Sequence, residues 1–134
     1  MKRFFTFLIA ALLAPAFALA SPIGLWSRTG DNGESHIRIT QDGPTFIGTI
    51  EWMENPRKDT ENPDPAKRDR DLEGVDIFIS TEELSPTKWR GQLYNPEDGN
   101  TYSGTLEELN ATTLELEGCV FIVLCRQDTW TRLE

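Results

Sequence analysis

Histidine, cysteine and clustered carboxylates are the side chains with chemistry to offer. His36 is the one histidine in 134 residues. It sits in Ser35-His36-Ile37-Arg38-Ile39-Thr40, on the polar side of an alternating run. A catalytic histidine works with a nucleophile and an orienting acid. The spacing names neither, so His36 reads as an exposed strand residue. Asp59, Glu61, Asp64, Asp69, Asp71 and Glu73 form a second cluster. Paired carboxylates perform general acid–base chemistry in glycoside hydrolysis. Here Lys58, Lys67, Arg68 and Arg70 interleave with them, which fits a solvated, ion-paired loop better than a catalytic pair. Asp59, Asn62 and Asp64 offer oxygens of the kind calcium takes, but their spacing lacks the full EF-hand pattern. No cofactor and no metal is expected.

Cys119 and Cys125 are the two cysteines. Two thiols and one histidine are too few for a metal site. In an oxidising compartment they are expected to form a disulfide across a hairpin end; the alternative is a pair of buried thiols. The N-terminus supplies the compartment. Lys2 and Arg3 precede an apolar run from Phe4 to Phe17, and Ala18-Leu19-Ala20 carries the small residues that signal peptidase accepts. The run is shorter than the roughly 20 residues a membrane span needs. Residues 1–20 are therefore expected to be a signal peptide, cleaved near Ala20–Ser21. That leaves 21–134 as one periplasmic or secreted domain with no stable membrane anchor. Losing Lys2 and Arg3 lowers 13 basic residues to 11 against 22 acidic ones, a net charge of −11. Nucleic acid and anionic membrane surfaces call for a basic patch, so neither is expected as a partner.

The elements that position these residues read as strands. Apolar residues recur every second position in segments near 35–41, 45–53, 74–80, 87–94, 101–107 and 112–119, and two further strands are expected near 24–29 and 125–133. Phe46, Ile50 and Trp52 share one face; Val75, Ile77 and Ile79 alternate with Asp76, Phe78 and Ser80. Gly30-Asp31-Asn32-Gly33, Asp42-Gly43 and Glu97-Asp98-Gly99 are hairpin signals. Eight half-buried strands with short connections predict an all-β, antiparallel up-and-down barrel, which leaves no exposed edge. A two-sheet sandwich is the competing fold. One long loop, 54–73, is rich in proline and charge, with a short helical turn expected within 62–67. Asn62 and Asp64 suit Asx-turns, and Arg70 is expected to pin the loop as a lid over one mouth.

Four motifs in order carry a resemblance: Gly24-Leu25-Trp26; Asp59-x-x-Asn62-Pro63-Asp64-Pro65 with Arg70 and Leu72; Tyr94-Asn95-Pro96-Glu97-Asp98-Gly99-Asn100-Thr101-Tyr102-Ser103-Gly104; and Thr129-Trp130-Thr131-Arg132. Together they resemble the exported bacterial family DUF2147 over nearly all of residues 21–134. The resemblance implies a lipocalin-like barrel of the calycin group, a bacterial envelope setting and a ligand-binding role, and it supplies no catalytic residues. It also implies that Arg132 covers Trp26 where the first and last strands meet. The chain departs from the family between its cysteines, where Val120-Phe121-Ile122-Val123-Leu124 replaces a Gly-rich turn.

A non-enzymatic barrel is thus expected to hold a small apolar or amphipathic ligand, with Phe46, Trp52, Trp89 and Tyr102 as candidate lining residues. The alternative is an envelope protein-interaction domain with a filled barrel, using the charged loop and the apolar 120–124 tip. A hydrolase using loop carboxylates is the lesser alternative.

Overall fold

A computed structural model describes residues 10–13, 21–121 and 123–134. Apart from 10–13, the expected signal peptide therefore lies outside the described residues. Eight strands follow in order: β1 (Gly24–Gly30), β2 (Gly33–Asp42), β3 (Thr45–Met53), β4 (Asp76–Ser85), β5 (Lys88–Asn95), β6 (Asn100–Asn110), β7 (Thr113–Val120) and β8 (Leu124–Arg132). Each pairs antiparallel with the next, and β1 pairs with β8 to close the barrel. The sandwich alternative is thereby excluded. The closing seam is short: Trp26 opposes Arg132 and Ser27 opposes Thr131. Beyond it, Arg28 Nε donates to Asp128 and links the two strands by side chains.

Up-and-down order sends alternate connections to opposite ends. The turns after β2, β4 and β6 lie at one end with Ser21–Ile23 and the C-terminus. The turns after β1, β5 and β7 lie at the other, with the long loop after β3.

Two bulges overturn details of the alternating pattern. In the β2–β3 ladder His36 opposes Trp52 but Ile37 opposes Ile50, so Glu51 is an extra residue. One inserted residue sends the following side chains to the other face. Trp52 consequently points outward, stacked 4.5 Å from His36 between ring centroids, and Met53 is buried in its place. In the β3–β4 ladder Gly48 opposes Phe78 but Thr49 opposes Asp76, leaving Ile77 as the extra residue. Ile77 and Phe78 are both buried, and Ile79, expected inside, is exposed.

Within the long loop a 3₁₀ turn spans Pro65–Lys67. Asp64 caps it by accepting from Ala66 N at 3.0 Å, while Asn62 Oδ1 accepts from Asp64 N at 2.9 Å. Leu72 then enters the core, fully buried.

Candidate functional site

The two ends of the barrel interior differ. At the end holding the termini, Trp26, Ile39, Phe46, Trp89, Leu106 and Leu114 pack together, all buried. Phe46 and Trp89 meet edge to face with centroids 5.0 Å apart, a geometry that aromatic quadrupoles favour. Arg132 seals this end. Its guanidinium lies 4.2 Å from the Trp26 ring centroid and donates to the carbonyls of Ser21 (2.8 Å), Ile23 (2.8 Å) and Ala111 (2.6 Å). Trp26 Nε1 donates to Pro22 O at 2.8 Å. Gly24 permits this approach: a Cβ there would lie 2.4 Å from Glu134 O, and its φ is +143°.

The other half of the interior is open. A cavity of about 950 Å³ reaches inward from the end that carries the long loop. Ile37, Ile50, Ile77, Leu93, Leu116 and Trp130 form its deep wall. Its rim is polar and includes Asp31, Arg57, Glu97, Asp98 and Arg126. A cavity of this size suits a small organic molecule: apolar walls supply affinity, and a few polar groups fix orientation.

The candidate lining residues divide accordingly. Tyr102 lines the cavity, its hydroxyl donating to Asp98. Burial raises the Asp98 pKa, but hydrogen bonds from Tyr102 and Asn100 outweigh it and hold the carboxyl below its ordinary value. Phe46 and Trp89 belong to the filled end. Trp52 lies outside the barrel, a correction that follows from the Glu51 bulge. Arg28, Arg57 and Asp128 also face the cavity; the sequence reading passed over them because isolated charges on strands and loops look like solvated surface.

The long loop is locked by a buried carboxylate. Asp59 is 0% exposed. It accepts from Tyr94 Oη at 2.5 Å, Asn62 Nδ2 at 2.8 Å, and Arg70 Nε and Nη2 at 3.0 and 2.9 Å. Burial would raise its pKa, but these donors more than offset that and leave it below the ordinary aspartate value. The Tyr94 hydroxyl, on β5, is pushed up to about 12 by burial and by the adjoining carboxylate. Arg70 thus braces the loop internally through Asp59, and the tie to the barrel is made by Tyr94. Gly99 completes the lock: a Cβ there would stand 1.8 Å from Glu61 O, and its φ is +74°. The loop stands beside the mouth, and of residues 54–73 only Arg57 contributes to the cavity wall; the expected lid is a rim. With every Asp59 oxygen committed to donors, the carboxylate serves as an anchor.

Cys119 and Cys125 oppose each other on β7 and β8 and form a disulfide. Their sulfurs lie near Glu117, but as a disulfide they offer no thiolate to a metal. Beyond the bridge, Phe121 is 84% and Val123 90% exposed, while Val120 and Leu124 reach the cavity rim. The expected apolar tip is therefore a rim element too.

Residues 24–132 match the family described as "Uncharacterized protein conserved in bacteria (DUF2147)". The chain belongs to the DUF2147 family. That assignment gives the four motifs places: Gly24 and Trp26 with Trp130 and Arg132 join the first and last strands, and the Asp59 and Tyr94 segments form the loop lock. Among solved structures, the chain is similar to "Protein HP1028 from the human pathogen Helicobacter pylori belongs to the lipocalin family". The TM-score is 0.76 at 21% identity, covering 85% of this chain and 84% of that one. At that identity the likeness is one of fold, and the barrel is lipocalin-like. No curated protein matches the chain.

Proposed function

We propose that this DUF2147 protein is an exported, non-enzymatic carrier that holds a small amphipathic ligand in the open half of its barrel. One observation carries the reading: a cavity of about 950 Å³ with an apolar floor and a polar rim, open at one end only because the other is packed. Export rests on the leader-like residues 1–20, with 21–134 as the mature domain. The disulfide agrees with an oxidising compartment, and among the described residues no helix is long and apolar enough to cross a membrane. Native mass spectrometry of protein purified from its own envelope tests the proposal. A bound molecule is expected as added mass that leaves on gentle activation. Ligand-free protein that also fails to take up any amphiphile in solution would defeat it.

A second reading is favoured by the tip. Exposed Phe121, Val123 and Leu124 on one hairpin suit contact with an envelope protein partner. The same spectra distinguish the two, since a partner appears as a complex whose mass is that of a second polypeptide.

A further inference from the structure

The hairpin tip beyond the disulfide holds a bulky side chain outward in a backbone conformation that disfavours it. Phe121 has φ +60°, a left-handed geometry that large residues rarely adopt and glycine adopts freely. The ring recovers nothing inside the fold, since Phe121 is 84% exposed. Val123 is 90% and Leu124 66% exposed. Cys119 and Cys125 close the base of the tip, and Val120 pairs with Leu124 just beyond them. Apolar side chains are thus presented to solvent from a fastened hairpin end.

The patch is continuous with the cavity. Val120 and Leu124 line the cavity rim, and Leu116 and Trp130 carry the apolar wall inward. Whatever seats on the tip therefore faces the mouth. Size and charge choose between a polypeptide and a lipid surface. A stable protein interface takes about 800 Å² from each partner, which a hairpin tip falls short of, and the rim beside it is charged. A few apolar side chains suffice for reversible seating among acyl chains.

Charge then selects the lipid. The cavity rim has more carboxylates than guanidiniums, and residues 21–134 have 22 acidic against 11 basic side chains, which repels anionic headgroups. Arg28 is paired with Asp128 and Arg57 with Glu97. Asp31 and Arg126, of opposite sign, stand on the rim outside these pairs. The ammonium and the phosphate of one net-neutral headgroup match them.

We propose that the tip seats the barrel mouth reversibly on a zwitterionic lipid surface, with Phe121, Val123 and Leu124 among the acyl chains and Asp31 and Arg126 at the level of the headgroups. The contact itself needs no filled cavity. That it loads the cavity directly from the lipid rests on the carrier reading above.

Flotation with vesicles tests the contact, using protein purified from its own envelope. One set of vesicles is phosphatidylcholine alone; the other is an equal mixture with phosphatidylglycerol. The protein is expected to float with the first and at least about threefold less with the second. Phe121→Gly is expected to weaken flotation about fivefold. Its unfolding midpoint should lie at or above that of the wild type, because glycine relieves the backbone, so the weaker contact is not a folding defect. Phe121→Ser combined with Val123→Ser is expected to abolish flotation. Wild-type protein that does not float with phosphatidylcholine, that prefers the anionic vesicles, or that floats no better than both variants overturns the proposal. So does a complex with a second polypeptide that the variants lose, when no flotation accompanies it. Uptake of an amphiphile from solution is a separate measurement, so failure of the contact leaves the carrier reading standing.

Discussion

The Tyr94 hydroxyl and the Asp59 carboxylate lie 2.5 Å apart, and this contact ties a barrel strand to the buried centre of a loop of charged and proline residues. Asp59 is the hub, since Asn62 and Arg70 reach it as well. The loop is thereby ordered without a hydrophobic core of its own, Leu72 alone being buried beneath it among residues 54–73 in the apolar cluster.

Asp59→Asn is expected to destabilise the protein by about 2–3 kcal/mol at pH 7, because the variant leaves Arg70 and Tyr94 without their charged acceptor. The folded-state pKa of Asp59 is depressed. Its contribution is therefore fully present above the unfolded value and is lost as pH falls through the folded one. Urea unfolding at pH 7 and at stepwise lower pH should show the gap between wild type and variant closing on acidification. A gap independent of pH would contradict the hub role.

Gly99→Ala should release the loop. Its Cβ would collide with the Glu61 carbonyl, and the backbone is left-handed there. A loss of about 2 kcal/mol or more is expected. Trypsin should then cut faster at Lys58, Lys67 or Arg68, all in the loop, than at strand sites.

Glu108 carries the opposite sign. Burial raises its pKa, and the Arg132 charge and the Ser21 N–H only partly oppose this; its Oε2 has no hydrogen-bond partner among the described residues. A carboxyl whose folded pKa is raised destabilises the folded state as pH rises from the unfolded value through the folded one. Glu108→Gln should therefore stabilise the barrel at neutral pH and make little difference below the ordinary glutamate pKa. Thermal melts at pH 4 and pH 7 decide it.

Removing the disulfide with Cys119→Ala and Cys125→Ala together should cost about 2 kcal/mol, the value chain entropy gives for so small a closed loop. The barrel should survive, because β7 and β8 pair along their whole length. Circular dichroism should keep its β signature while the unfolding midpoint falls. Loss of the fold on reduction would mean that the bridge does more than fasten the tip.

The architecture was legible because period-two alternation marks most of the strands and turn chemistry separates them. Individual faces were less so. Trp52 and Ile79 obey the alternation in sequence, but an extra residue at Glu51 and another at Ile77 reverse them, and bulges leave no local mark that a pattern of apolar residues reveals. In the site, Tyr102 was legible because strand parity carries it inward. Phe46 and Trp89 were legible as inward residues but not as residents of the filled end, since their height along the barrel depends on register with neighbours. Arg57 had no signal at all: a lone arginine in a charged, proline-rich loop looks like solvated surface, yet it reaches the cavity wall. Tyr94 had one, lying in the same segment as Gly99 and conspicuous as a tyrosine at a strand end beside an Asn-Pro turn.

Ser21, which accepts from Arg132, and Glu134 both lie at the packed end of the barrel. The chain thus enters and leaves by the same pole, and the cavity opens at the opposite one. Whatever is joined to either terminus, be it a leader, a fusion partner or a surface used for immobilisation, holds the barrel like a cup by its base and leaves the mouth facing outward.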